Sequence, residues 1–506
     1  MENRRKIAVI GTGAAGLGVL TALLEKENNL DIFLYDIGEK VKEISSPENP
    51  DQDWINSFYN GIYKKIRSFY SFKFPPAKTH FGDQISRESV GKKFKIFKSD
   101  TFGGLTNYWG ATMLPFTDRE LKDWPVTKEE LLPYYEKISQ VVGLSAQSDQ
   151  LNQYFEKDFS TRPPLKLTPV LNLLNQLVNQ EGKEKSFKIV SGINRCGLET
   201  RENDSRHCVY CGECLAGCFK GSIYSAQLTI KEYLKDSRIK YKDGVKVSQI
   251  RKNDSLEIEL EDGHLEKDFD KVFLAAGCPS STEIILRSLK MKDQLKMADN
   301  SVYVFPIFYF GRKPKGDNSY FALCNLILGC LPKNEKDHFA QVQVYPNFDY
   351  LWRYNLPAWI WSLVKPIFSF LRSRIFWGRL YLHSDYSQSY SIQLKDNQIL
   401  MDHIEQAHPG KYLKNLILSL RSSINSKGFY FPPIPPLRQR INSHYTSTIP
   451  FNGDKIKISS LGEVMPGVHL CDSSVFPNAP AVNPGFTIMA NACRIADKVI
   501  NEKKSN

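Results

Sequence analysis

At 506 residues, with 42% hydrophobic and 24% charged side chains, the chain is too long for one small domain and has the composition of a folded protein of two or three lobes. Its net charge of +12 comes from 67 Lys and Arg against 55 Asp and Glu, the basic residues spread along the sequence without a recognisable nucleic-acid module, so no nucleic-acid partner is expected. The excess fits a face that meets an anionic membrane, a phosphorylated substrate or an acidic redox partner.

The opening MENRRKIAVIGTG lacks the apolar core and cleavage site of a secretory signal, so the cytoplasm is expected. There thiols stay reduced and metal binding is favoured over disulfides. KIAVI (6–10) reads as a buried strand, GTGAAGLGVLTALLEKE turns into a helix, and DIFLYD (31–36) is a second strand, making a βαβ unit. From about 40 to 100 the chain is polar and aromatic without a clear period, an excursion over the surface. Residues 125–160 look helical, with a threonine and early acidic residues at the start. A cysteine loop occupies 195–225, and 255–277 ends in the apolar strand KVFLAAG, followed by a helix at STEIILRSL. Alternating patches such as HFAQVQVYP and YSQSYSIQL suggest a sheet within 300–400, and the chain closes on a helix, GFTIMANACRIADKVINEKK. This order implies a nucleotide domain assembled from discontinuous pieces.

Gly11, Gly13 and Gly16 form GxGxxG between predicted strand and helix, with Ala14 and Ala15 inside the turn. The first glycine permits the tight turn, the second lets a pyrophosphate approach the backbone, and the third lets helix and strand pack closely. The amides at the helix start then face the phosphates. Asp36 follows twenty residues after Gly16, at the end of the second strand, placed to accept hydrogen bonds from a ribose diol. The pattern does not separate FAD from NAD.

Cys208, Cys211, Cys214 and Cys218 follow the spacing C-x2-C-x2-C-x3-C of an iron–sulfur ligand loop. Soft thiolates select iron–sulfur clusters or zinc, and structural zinc sites usually pair two distant C-x2-4-C elements, so a 4Fe-4S or 3Fe-4S cluster is expected ahead of zinc or of structural thiols. In two-cluster ferredoxins the fourth cysteine of this spacing serves the other cluster, which leaves Cys196 or His207 as alternative ligands, and Phe219 stands where a proline usually follows. The remaining cysteines, Cys278, Cys324, Cys330, Cys471 and Cys493, are scattered and suit core positions.

Three further segments, TFGGLTNYWGATMLP (101–115), VFLAAGCPSSTEIIL (272–286) and VHLCDSSVFPNAPAVNPGFTIMANACRIAD (468–497), resemble the glucose–methanol–choline (GMC) family of flavoprotein oxidoreductases. The resemblance implies an α/β fold: a discontinuous Rossmann-like FAD domain (1–40, 95–125, 225–295 and 440–506) and a substrate domain (296–439) with a mostly antiparallel sheet. An insertion (126–224) would carry the cysteine loop at 196–225. GGLTNYWG is similar to the pyranose oxidase branch, where a histidine before the tryptophan holds a covalent flavin. Tyr108 precedes Trp109 here, implying non-covalent FAD lined by Gly103, Gly104, Thr106, Asn107, Tyr108 and Gly110, and by Ala276 and Gly277. Asp472 and Ser473 match the flavin diphosphate segment, and Asn483 and Pro484 the segment beside the reacting carbon. His444 occupies the place of the family's histidine, without the usual proline and glycine. An imidazole suits removal of a hydroxyl proton as hydride leaves carbon. His444 is thus expected as general base, with Asn483 orienting the hydroxyl and the helix from Pro484 aimed at the flavin.

The implied activity is oxidation of a secondary alcohol of a sugar or lipid-linked glycan, with electrons leaving through the cluster to a ferredoxin-, cytochrome- or quinone-type acceptor. An O2-using oxidase with a structural cysteine loop, and a non-catalytic FAD-binding redox module, are the alternatives. Bacterial sugar dehydrogenases of this type resemble the chain in carrying a cluster just before a segment like GSIYSA (221–226). Residues 351–382, LWRYNLPAWIWSLVKPIFSFLRSRIFWGRLYL, are dense in aromatics and arginine and broken by Lys365 and Pro366. They suit either a buried aromatic lobe or a segment lying in a membrane interface. The second reading puts the protein on the inner face of a membrane.

Overall fold

The structure is a computed structural model that describes residues 4–25, 29–38, 47, 51, 53–55, 57–59, 85–86, 96–180, 185–215, 217–318, 321–347, 356, 358–405, 409–439 and 443–502. Most of the excursion expected at 40–100, and residues 351–355 and 357 of the aromatic stretch, lie outside the described residues.

The sequence 5–10 is a strand because its β-branched run is buried on both faces, as a central parallel strand requires. It pairs in parallel with Leu30–Tyr35 on one side and Lys271–Leu274 on the other. Ile239–Lys242 extends the sheet beyond Leu30–Tyr35; Val468–Leu470 and then Glu463–Met465 extend it beyond Lys271–Leu274, giving six strands. The helix Ala14–Leu24 is the crossover of the first βαβ unit, and it packs on the closing helix Gly485–Asn501. A Cβ at Gly18 would lie 2.2 Å from the Met489 carbonyl oxygen, so glycine lets the two backbones touch. The chain's beginning and end are thereby clamped over the same sheet.

The helix expected within 125–160 covers Lys128–Val142: Thr127 accepts a hydrogen bond from the Glu130 amide at its start, and Gly143 ends it at φ 70°. STEIILRSL lies in the helix Cys278–Ser288, directly after the strand Lys271–Leu274.

The second lobe is built on a seven-stranded sheet whose neighbours pair antiparallel. Its centre is the trio Val302–Tyr309, Ile375–Tyr381 and Ala340–Pro346, continued by Leu326–Pro332 and Phe187–Ile193. Phe187–Ile193 comes from within the stretch expected to be an insertion. Alternation decides what each face touches. Val342, Val344, Phe376 and Leu380 pack with the helices Pro169–Val178 and Gly410–Ile424 in one apolar cluster. Tyr345, Tyr381 and Trp377 turn the other way, into the cluster shared with the parallel-sheet lobe.

Candidate active site between the two sheets

The glycine turn is held as its spacing predicts. Gly11 sits at φ 106°, and a Cβ there would strike the Ala275 carbonyl oxygen at 2.4 Å. A Cβ at Gly16 would lie 2.0 Å from the Gly11 oxygen, so helix and turn pack backbone to backbone. At Gly13 and Gly277, by contrast, an added Cβ meets nothing within 4 Å. Those two positions border open space at the carboxyl ends of the strands, where a pyrophosphate sits in folds of this kind.

The second glycine pair folds against the first: a Cβ on Gly104 would lie 3.4 Å from the Gly13 Cα, and the Gly103 amide donates to the Thr12 hydroxyl at 2.8 Å. Thr106 and Asn107 brace this turn. Thr106 Oγ1 donates to the Gly103 carbonyl and accepts from the Ala226 amide; Asn107 Nδ2 donates to the Phe102 carbonyl, and its Oδ1 accepts from Ser225. Asp36 is buried and accepts from the Thr12 amide and hydroxyl and from the Gly38 amide. Burial dominates over those bonds and raises its pKa to about 6.

Asp472 is fully enclosed; its carboxylate takes the Gly277 amide, the Ser281 hydroxyl and the Ser474 amide. It therefore clasps the Ala276–Gly277 turn to the C-terminal segment. Ser473 Oγ donates to the Tyr445 carbonyl, and its own carbonyl accepts from the Ser447 amide, tying that segment to the strip that carries His444.

His444 and Asn483 are brought to one sheet face. Asn483 Oδ1 accepts from Gln341 Nε2 and Gln343 Nε2, both at 2.7 Å, which leaves its Nδ2 as the free end of the carboxamide. The His444 ring stacks on Tyr381 with centroids 5.8 Å apart. Gln341 faces Tyr381 across the paired strands, and Gln343 faces Arg379, so the partners of the two side chains are next-door neighbours. His444 Nδ1 lies 3.1 Å from Asn300 Oδ1, and Asn300 Nδ2 donates to the Pro480 carbonyl, three residues before Asn483. With Nδ1–H donating there, Nε2 carries the lone pair; it makes no hydrogen bond among the described residues. Burial first, and the Arg379 cation second, lower the His444 pKa to about 4. At neutral pH the ring is a neutral base.

Gln341, Gln343, Tyr345 and Arg379 were missed by reasoning from sequence. The signal was the run QVQVYP (341–346): period-2 alternation in a strand whose polar positions are also buried means that the polar face looks into a site.

The four cysteines converge. Cys208, Cys211, Cys214 and Cys218 line one cavity of about 20 Å³ with Tyr59, Phe219 and Ile223. Tyr210, Gly212 and Gly217 take positive φ to wrap the loop, and Cys211 bridges to Phe321 of the second lobe. The Leu323 amide donates to Cys214 Sγ at 3.2 Å, a bond that favours a thiolate. Trp54, Phe58 and Tyr59 pack around Phe219 to roof the cavity. Burial, and then the neighbouring thiols, push the Cys208 and Cys211 pKa values up, so charge there needs a cation to balance it. Cys196 is buried in the same small apolar cluster, and His207 Nδ1 instead engages the Asp204 carbonyl. Trp109 bridges the two regions: its indole donates to the Tyr224 carbonyl, and it packs both against the cysteine cluster and against Gly485.

Among the described residues, the set of three metal-ligand groups lying within 4.8 Å of one another is His338, His383 and Asp385, not the cysteines. The two imidazoles are stacked face to face at 3.6 Å, an arrangement in which one ion cannot lie in both ring planes. An open cleft bordered by Lys296, Ser384, Ser447 and Asn478 holds none of the sequence-predicted site residues.

The fold is that of a two-lobed α/β protein with a mostly parallel, dinucleotide-type sheet and a separate antiparallel sheet, the fold class expected from sequence. Among solved structures the chain is similar to pyridoxine 4-oxidase from Mesorbium loti, with a TM-score of 0.61 and 13% identity over 99% of this chain and 100% of that one. No protein-family model and no curated protein matches the sequence.

Proposed function

We propose that the protein is a dehydrogenase with non-covalent FAD that oxidises a secondary alcohol of a sugar or glycoconjugate, the bound flavin supplying the hydride acceptor. The observation that carries this reading is the approach of a neutral His444 and a fixed Asn483 carboxamide to adjacent positions on one face of the antiparallel sheet. The residues present fit FAD: open space at Gly13 and Gly277 leaves room for the diphosphate, and buried Asp36 stands at the end of the second strand for the ribose. His444 Nε2 would take the substrate hydroxyl proton, while Asn483 Nδ2 donates to the same oxygen and holds it in line. Replacing His444 with Ala should leave FAD bound and abolish flavin reduction by substrate; near-normal reduction would remove His444 from the mechanism.

The cysteine loop supports an electron exit. Four thiols, an amide donating to sulfur and an aromatic roof fit an iron–sulfur cluster, which when bound carries single electrons. No three of these thiols lie mutually within 4.8 Å, whereas tetrahedral zinc would hold its sulfurs about 3.8 Å apart from bonds of about 2.3 Å. Trp109 spans the space between this loop and the cofactor side. Iron and acid-labile sulfide in anaerobically purified protein are expected; stoichiometric zinc without sulfide would overturn the electron exit. The oxidase named among similar structures favours a second reading, direct transfer to O2, recognised by peroxide formation under air.

Peripheral contact with a membrane belongs to the same proposal. Among the described residues no helix is long and apolar enough to cross a membrane. The helix Ala358–Arg372 instead exposes Trp359 (69%), Leu363 (71%), Ile367 and Phe370 at spacings of four, four and three, one continuous stripe, with Lys365 and Arg372 on the same element. Such a helix lies flat in an anionic interface. Flotation with phosphatidylserine vesicles, lost on Trp359→Asp with Leu363→Asp, is the expected result; unchanged flotation would remove the helix from membrane contact.

A further inference from the structure

Arg379 is an interior cation without an anion beside it. It lies on the strand Ile375–Tyr381, facing Gln343 on one side and Val304 on the other, and so shares the sheet face that holds Asn483 and His444. The guanidinium has five N–H donors. One meets Gln439 Oε1 at 3.1 Å, and another side-chain bond goes to Tyr345. Its charged carbon lies 5.8 Å and 5.6 Å from the ring centroids of Tyr345 and Tyr381. No Asp or Glu among the described residues comes within ion-pair distance of it, although other interior cations here, Arg195 and Arg494, have theirs in Asp149 and Glu130. The residue as a whole keeps partial exposure, as His444 does.

A buried guanidinium left with only neutral partners has an unmet demand for negative charge, and its fork geometry matches a carboxylate or a phosphate monoester. We propose that Arg379 is an anion-binding residue of the substrate site, so that the preferred substrates are sugars carrying a carboxylate or phosphate group. The anion would sit against Arg379 while the hydroxyl to be oxidised meets His444 and Asn483. This rests on the reading of the cleft as an alcohol-oxidising site.

The test uses FAD-loaded protein and three probes: glucose, glucuronate and glucose 6-phosphate. Binding is followed by calorimetry without turnover, and reaction by anaerobic flavin bleaching. One or both anionic sugars should bind on the order of 100-fold more tightly than glucose, the responding arm distinguishing carboxylate from phosphate. Arg379→Gln should erase that preference, bringing binding and KM of the anionic sugars to the level the same variant shows for glucose, and Arg379→Lys should restore part of it. Equal binding of all three sugars, or a preference that survives Arg379→Gln, would overturn the anion site. If the anionic sugars bind in an Arg379-dependent way yet bleach no flavin, the anion site stands and the redox reading fails; if glucose bleaches the flavin with no anion preference, the redox reading stands and the anion site fails.

Discussion

Replacing Gln343 with Leu isolates the device that aims Asn483. In the wild type the Asn483 oxygen is held by two donors at 2.7 Å, and Gln343 Oε1 accepts from the Tyr345 hydroxyl at 2.8 Å. Leucine approximates the shape and removes both bonds of residue 343. The carboxamide keeps only the Gln341 bond and regains rotational freedom, while Tyr345 loses that acceptor in a buried setting. Loss of a partner from a buried polar group costs about 1–3 kcal/mol. If that cost falls on holding Asn483 in its productive orientation, flavin reduction slows about 5- to 150-fold, at about 1.36 kcal/mol per decade. Gln341→Leu should act in the same direction, and the double variant should exceed the sum of the two free-energy changes because either glutamine alone still restrains the oxygen. The assay is stopped-flow anaerobic flavin reduction at saturating substrate, with FAD content measured in parallel. A wild-type reduction rate in Gln343→Leu would refute the claim that this hydrogen-bond pair positions a catalytic group.

Two further outcomes depend on pH. Because burial lowers the His444 pKa to about 4, kcat/KM for flavin reduction should stay level from neutral pH down to about 5 and fall with a midpoint near 4; an acid limb near 6.5, the ordinary imidazole value, would contradict the burial argument. Asp299 is fully enclosed, and burial raises its pKa to about 8 against an unfolded value of about 3.9. The folded state therefore holds the extra proton between those values, and this carboxyl's contribution is present below pH 4 and lost as pH rises through 8. Asp299→Asn should flatten the decline in thermal unfolding temperature between pH 5 and 8; an unchanged slope would show the carboxyl to be ionised in the native state.

The βαβ start was legible because it depends on local rules: a β-branched run, a glycine turn that only missing side chains permit, and an acidic residue at the next strand's end. The meeting of the four cysteines at one small cavity was legible for a similar reason, since thiols within eleven residues stay near one another. The helix Ala358–Arg372 was half legible: its aromatic and basic content suggested either a core or an interface, and only the packing put Trp359 and Leu363 outside. The polar face of the antiparallel sheet was not legible. QVQVYP reveals two faces but not which one the helices Pro169–Val178 and Gly410–Ile424 will cover, because that depends on segments more than sixty residues away in the chain. Asp472 is a similar case: its motif placed it near the diphosphate, while the fold uses both its oxygens to hold Gly277, Ser281 and Ser474.

The central claim is that one flavin lies in the cleft with His444 and Asn483 over its reacting face. Anaerobic titration of the FAD-loaded protein with the responding sugar tests it most directly. One equivalent of substrate should bleach the oxidised flavin band in the wild type, and His444→Ala should retain FAD while losing the bleaching. A protein that takes up no FAD, or a His444→Ala variant that bleaches at the wild-type rate, would contradict the account.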